Sequence, residues 1–163
     1  MSINIRAARA EDTQLIFDMV HELATYEKLA DEVDATPEII GAALFGKEPR
    51  LFCDIAEWNG EPAGQALWFM NFSSFRGRHG IYLEDLFVRP DYRGKGLGKA
   101  LMARLAQRCV EQGLARFEWV VLDWNTPSIE FYKSIGADVL DDWKICRLSG
   151  PALQAFADKE ARA

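Results

Sequence analysis

The densest chemistry in the sequence is the run Arg93-Gly94-Lys95-Gly96-Leu97-Gly98-Lys99. Three glycines at alternate positions let the backbone turn tightly and bring bare N–H groups against an anion. A helix is predicted from about Gly98 to Gln112, and its first turn adds unpaired N–H groups and the positive end of the helix dipole. Arg93, Lys95 and Lys99 add cationic side chains, so the chemistry is that of pyrophosphate binding. Two familiar phosphate motifs fail on spacing. A mononucleotide P-loop needs four residues between its glycine and a Gly-Lys-Ser/Thr, which nothing here supplies. A dinucleotide fingerprint needs a third glycine where Lys99 stands.

Upstream, Glu84 and Asp85 interrupt the apolar alternation of HGIYLEDLFV at 79–88. On a regular strand adjacent side chains point to opposite faces, so the two acids are expected on different faces. The interruption itself predicts a backbone irregularity. His21 and His79 have no partner at metal-ligand spacing, and no metal site is supported. Cys53, Cys109 and Cys146 are odd in number and far apart, which reads as small buried hydrophobes in a reducing compartment.

The elements that must position these residues are legible as periodicities. Ile3 to Ala7 alternates as a half-buried strand. Asp12 is the expected cap of a helix whose apolar stripe is Leu15, Ile16, Met19, Val20 and Leu23. Thr36 and Pro37 open a second helix running towards Leu44. Leu51 to Glu57, the turn Asn59-Gly60, and Pro62 to Phe72 predict a hairpin. A strand over 79–88, the glycine loop and the helix ended by Gly113 follow. Phe117 to Leu122 predicts a buried strand, and Asn125 or Thr126 caps a short helix ending at Gly136. Ala137 to Leu148 is expected to form a last strand or hairpin, and the tail PALQAFADKEARA to fray. This is a mixed α/β sheet in one domain over 1–163.

Composition sets the boundaries. A chain of 163 residues with 49% hydrophobic content can bury one core. Its net charge of −6 argues against nucleic acid and suits a cationic small molecule. The opening MSINIRAARAED lacks the apolar core of a signal peptide and no apolar run reaches membrane-spanning length. A cytoplasmic location without membrane or nucleic-acid partners is expected.

Arg93, Gly96 and Gly98 read as Arg-x-x-Gly-x-Gly, which matches the coenzyme A pyrophosphate loop of the GNAT acetyltransferases. YLEDLFV (82–88), DYRGKGLG (91–98), WNTPSIEFYKSIGA (124–137) and ELATYE (22–27) together resemble the spermidine/spermine, or diamine, acetyltransferases. The resemblance implies the GNAT fold, a mixed central sheet flanked by helices, with acetyl-CoA as cosubstrate, a small-molecule amine as acceptor and a homodimer.

Acetyl transfer to an amine needs a neutral nucleophile, a polarised thioester carbonyl and a proton for the departing thiolate. A primary ammonium with pKa near 10.4 costs roughly 4.6 kcal/mol to neutralise at pH 7. By resemblance Glu84 is the base, commonly acting through water, and it lies within the acceptor site. Tyr132 is the acid, since a phenol stays protonated at neutral pH yet can protonate a thiolate. The family pattern places Asn125 at the coenzyme, along with Leu86, Phe87 and Val88, whose main chain is freed where their strand splays from its neighbour. The rest of the coenzyme set is Arg93, Gly94, Lys95, Gly96, Leu97, Gly98 and Lys99. Tyr26, Glu27, Trp119 and Asp142 are expected to contact the acceptor, and Trp68 and Trp124 offer apolar walls or core packing. The acidic segment before Trp143 is shorter than in polyamine enzymes, which leaves open a polyamine, a thialysine-like amino acid, another small amine or a protein amino terminus. The competing class is a non-catalytic acyl-CoA-binding protein.

Overall fold

Alternation at the start of the chain becomes β1 (Ile3–Ala7), which pairs antiparallel with β2 (Phe52–Trp58) so that Ile5 lies opposite Ala56. The computed structural model describes residues 1–160. The strand β2 turns into β3 (Glu61–Ser73) at Asn59-Gly60, whose φ values of 52° and 88° are the pair of positive angles a tight hairpin requires. Strand β4 (Arg78–Val88) returns antiparallel along β3, and β5 (Phe117–Glu118) joins it in parallel, giving the order β1-β2-β3-β4-β5. The expected mixed sheet is present.

Helices cover both faces. Helix α1 (Thr13–Tyr26) buries Ile16, Met19 and Leu23, one stripe at helical spacing. Ile16 packs with Cys53, Ile55 and Leu67, while Met19 and Leu23 pack on Phe87. Helix α2 (Pro37–Phe45) adds Leu44 to the same core, its start fixed by Thr36, whose hydroxyl accepts from the Ile39 N–H at 3.3 Å. Between Cys53 and Ile55, Asp54 points the other way and accepts from Arg108 of α3 (Leu97–Glu111) at 2.9 Å. Alternation therefore sets α3 on the face opposite α1 and α2. Gly113, at φ 63°, ends α3, and the Leu114 N–H reaches back to the Cys109 carbonyl.

These elements make up a compact unit, Met1–Val120; a second unit begins at Val121 and holds α4 (Thr126–Ser134) and α5 (Gly150–Glu160). Helix α4 starts where expected, with the Asn125 side chain accepting from the Ser128 N–H at 3.4 Å.

Five expectations need correction. Asp12 does not cap α1: a 3₁₀ turn, Ala10–Asp12, precedes the helix, and the Asp12 carboxylate turns back to the Arg9 N–H and the Arg6 guanidinium. Residues 137–148 form no strand, and β5 stops at Glu118 rather than Leu122. Both runs have strand composition, but a strand exists only where a ladder partner meets it. The first turns at Leu140, whose carbonyl accepts from the Trp143 N–H, and the second loses β4 after the Tyr82–Glu118 pair. The tail is helical through Glu160, built from helix-favouring residues and a Gln154–Asp158 hydrogen bond one turn apart; fraying of residues 161–163 lies outside the described residues. Cys53 and Cys109 are buried as expected, whereas Cys146 is exposed.

Candidate active site

The glycine loop leaves β4 at Val88, passes through a 3₁₀ turn at Pro90–Tyr92 and enters α3. Gly94 (φ 75°) and Gly96 (φ 89°) both hold left-handed backbone, which explains the residue type at each. Open space surrounds the Cβ position of Gly94. The first internal bond of α3 runs from the Ala100 N–H to the Gly96 carbonyl, so the N–H groups of Leu97, Gly98 and Lys99 fall in the first turn, where no intrahelical acceptor exists. Arg93 Nε donates to the Val88 carbonyl at 2.9 Å, with its guanidinium 4.8 Å from the Tyr26 ring centre and 5.8 Å from that of Phe87. Lys95 Nζ donates to the Asp91 carbonyl and lies 5.5 Å from the Tyr92 ring and 5.9 Å from that of Trp58. Among the described residues neither cation is paired with a carboxylate. The glycine backbone, helix start and basic side chains fit a coenzyme A pyrophosphate.

Immediately upstream β4 bulges. Trp68 of β3 faces Leu83 and Leu67 faces Asp85, so Glu84 is the extra residue with no partner across the ladder. The predicted irregularity is thus present, and it changes the facing of the acids. Leu67 lies in the core under α1, and directly opposed residues share a face, which sets Asp85 on the α1 side. Glu84 is exposed and Asp85 half-buried. Burial, then the charges of Glu84 and Glu27, pushes the Asp85 carboxyl up to about 6. Glu27, at the end of α1, is also raised, by burial. Sequence reasoning set Asp85 aside; the signal that could have found it is the same broken alternation that marked Glu84.

The β4–β5 ladder ends at Tyr82–Glu118, so among the described residues β4 is paired from Leu83 onward on its β3 side alone. The main chain of Leu86, Phe87 and Val88 lies in that one-sided stretch. Phe87 itself is buried under α1, and Trp119 follows β5, its ring 4.9 Å from that of Phe117.

A cleft of about 400 Å³ lies between α1 and the loop, lined by Glu22, Thr25 and Tyr26 on one side and Phe87 and Arg93 on the other. At its edge Arg89 forks onto Glu22, with contacts of 2.9 and 3.1 Å. Neither Glu22 nor Arg89 was singled out by sequence, because their pairing spans 67 positions.

The first unit brings Tyr26 and Phe87 against Arg93 of the glycine loop and sets Glu27 and Glu84 around Asp85; Trp119 belongs to the same unit, beside Phe117. Asn125, Tyr132 and Asp142 lie in the second unit. There Asn125 caps α4, Tyr132 sits on that helix with its ring 5.5 Å from Phe131, and Asp142 belongs to the turn before Trp143.

Residues 14–137 match the acetyltransferase (GNAT) family model. The chain is 37% identical to thialysine N-epsilon-acetyltransferase of Sus scrofa, with 97% of this chain and 99% of that protein covered. It is 31% identical to L-ornithine N5-acetyltransferase of Arabidopsis thaliana, over 96% of this chain and 88% of that one. Among solved structures, an integron cassette protein from the mobile metagenome of V. cholerae aligns with a TM-score of 0.79 at 26% identity, covering 96% and 98% of the two chains.

Proposed function

Because the chain belongs to the acetyltransferase (GNAT) family, we propose that it is an acetyl-CoA-dependent enzyme that acetylates a primary amine of a small diamine-like or thialysine-like molecule by direct attack in a ternary complex. The observation that carries this reading is the bulge at Glu84, which sets three carboxylates, Glu27, Glu84 and Asp85, within electrostatic range directly upstream of a pyrophosphate-type loop. The names of the similar enzymes support an acceptor with two amines: thialysine and ornithine each carry a second ammonium beside the one acetylated.

Acetyl-CoA supplies the acetyl thioester when bound. The loop residues Arg93 to Lys99 would hold its pyrophosphate, and the one-sided main chain of Leu86 to Val88 would flank its pantetheine arm and thioester; Asn125 is assigned to the coenzyme by the family resemblance alone. A carboxylate oxygen of Glu84, exposed on the bulge, takes the proton of the acceptor ammonium directly or through water. Glu27 and Asp85 hold the second ammonium, with Tyr26 and Trp119 as further contacts, and Asp142 is assigned to the acceptor by the family resemblance alone. Tyr132, on the family pattern of Asn125, Phe131 and Tyr132, gives its hydroxyl proton to the departing thiolate sulfur. We treat 1–163 as one catalytic domain because the family match, residues 14–137, extends from the first compact unit into the second. A cytoplasmic homodimer is proposed on the family resemblance and the three unpaired cysteines.

The test is an acetyl-CoA thiol-release assay across thialysine, ornithine, spermidine, simple monoamines and a peptide amino terminus. Turnover confined to acceptors with a second ammonium supports the reading. Turnover of the peptide alone overturns the acceptor class, and no thiol release with any amine favours a non-catalytic acyl-CoA-binding protein. A Tyr132→Phe variant with undiminished turnover removes the acid assignment.

A further inference from the structure

Glu22 and Tyr26 stand four residues apart on α1 and so share one face of the helix. Arg89 and Arg93 stand four residues apart across the 3₁₀ turn that leads into the glycine loop. The two pairs meet in order: Arg89 forks onto Glu22 at 2.9 and 3.1 Å, and Arg93 lies over the Tyr26 ring at 4.8 Å. The helix that carries the acceptor contacts is thereby joined at two points to the segment that carries the coenzyme contacts.

The second joint has a specific geometry. Nε of Arg93 is committed to the Val88 carbonyl at 2.9 Å, and the guanidinium carbon lies over the Tyr26 ring, 4.8 Å from its centre. The attraction of a cation to a ring face uses none of its N–H groups, and the Arg93 side-chain hydrogen bond to Val88 engages Nε, so the Nη groups remain for an anion. An arginine on an exposed loop loses much rotamer freedom when it grips a phosphate, and an aromatic platform removes part of that loss before the ligand arrives. We infer that Tyr26 is a positioning residue for the donor site: its ring holds Arg93 in the orientation that grips the coenzyme pyrophosphate. The assignment rests on the reading of the glycine loop as the coenzyme site. It differs from the acceptor-contact role that family resemblance gives to Tyr26, because the ring acts on acetyl-CoA before any amine is present.

Calorimetric titration of acetyl-CoA into the full chain, without amine, tests the inference with Tyr26→Ala, Tyr26→Phe, Arg93→Ala and the Tyr26→Ala/Arg93→Ala double variant. Tyr26→Ala is expected to weaken acetyl-CoA by roughly three- to thirtyfold, the range of a cation–π contact. Tyr26→Phe keeps the ring and is expected to bind within about twofold of wild type. The double variant is expected to be no weaker than Arg93→Ala alone, since the ring has nothing left to hold. Wild-type acetyl-CoA affinity in Tyr26→Ala, with only the acceptor KM raised, overturns the inference and leaves the loop reading intact. Additive losses in the double variant overturn it equally. Unchanged affinity in Arg93→Ala overturns the role of that arginine in the loop, and the inference with it.

Discussion

Asp85 of β4 lies directly opposite Leu67 of β3, and this pairing turns its carboxyl towards α1. On an unbulged strand Leu83 and Asp85, two residues apart, would share a face. With the extra residue at Glu84, Leu83 faces Trp68 on the α3 side and Asp85 joins Glu27 on the α1 side. One inserted residue thus creates both the exposed acid and the half-buried one.

The first prediction concerns Asp85. Its carboxyl titrates near 6, so the acceptor KM is expected to fall as pH rises through that value, because only the carboxylate attracts an ammonium. Asp85→Asn is expected to raise the acceptor KM at pH 8 and to flatten its pH dependence between pH 5 and 7, measured by steady-state kinetics at saturating acetyl-CoA. Stability moves the other way. A carboxyl raised in the folded state holds its proton where the unfolded chain has lost it, so its charging opposes folding as pH climbs from about 4 to about 6. Asp85→Asn is therefore expected to melt roughly 3–6 °C higher at pH 8 and level with wild type at pH 4. An unchanged melting difference across this range refutes the burial argument.

Glu84 is expected to behave differently from its neighbour. Glu84→Gln removes the base while keeping the shape of the bulge, so kcat/KM is expected to fall by about 10²–10⁴-fold at neutral pH with acetyl-CoA affinity retained. Without a base the rate follows the free amine and rises about tenfold per pH unit below the amine pKa of about 10.4. The deficit is therefore expected to shrink as pH rises. A pH–rate profile parallel to that of wild type removes Glu84 as the base.

What was legible in the sequence is what local chain physics decides. The alternation of Ile3–Ala7, the positive-φ pair Asn59-Gly60, the Thr36-Pro37 helix start and the left-handed Gly94 and Gly96 depend on a few adjacent residues, and all formed as expected. The broken alternation at Glu84-Asp85 announced a bulge. The side on which Asp85 lands depends on its register with Leu67, which no local pattern encodes. Residues 137–148 fail as a strand for the related reason that ladders need a partner from elsewhere. Arg89–Glu22 and Arg93–Tyr26 are long-range pairs of common residue types and leave no trace in spacing. Asp12 misled by having the right type at the right place, since it closes a 3₁₀ turn and its carboxylate is taken by the Arg9 N–H and the Arg6 guanidinium.

Two glycines of the loop are expected to respond in opposite ways to alanine. Gly96 sits at φ 89°, where an L side chain costs about 1–2 kcal/mol, so Gly96→Ala is expected to lower the melting temperature and to distort the start of α3. Gly98 lies inside α3, and a Cβ there meets only Val88 Cγ2, at 3.8 Å, an ordinary contact. Gly98→Ala is therefore expected to leave the fold as stable as wild type or slightly more so. It still places a methyl group on the helix turn that approaches the pyrophosphate, so acetyl-CoA binding is expected to weaken. Thermal melting and calorimetry on the two variants separate backbone strain from ligand approach, and identical behaviour in both assays contradicts it.

The last prediction tests the ion pair that ties β2 to α3 on the face away from the carboxylates. Asp54 is 3% exposed, accepts from Arg108 at 2.9 Å and from the Trp68 indole at 3.0 Å, and the Arg108 guanidinium rests 4.6 Å from the Trp68 ring centre. Removing Arg108 leaves a buried carboxylate with one neutral donor, and breaking such a pair typically costs about 3–5 kcal/mol. Arg108→Met keeps most of the packing volume and isolates the charge effect. It is expected to destabilise strongly in urea titrations while leaving the acceptor KM and acetyl-CoA affinity of the folded enzyme unchanged. Adding Asp54→Leu removes the stranded carboxylate, so the double variant is expected to recover much of the loss. If the double variant is less stable than Arg108→Met alone, the pair is not the source of the effect, and the packing of Trp68 against Phe52 is the contact to examine.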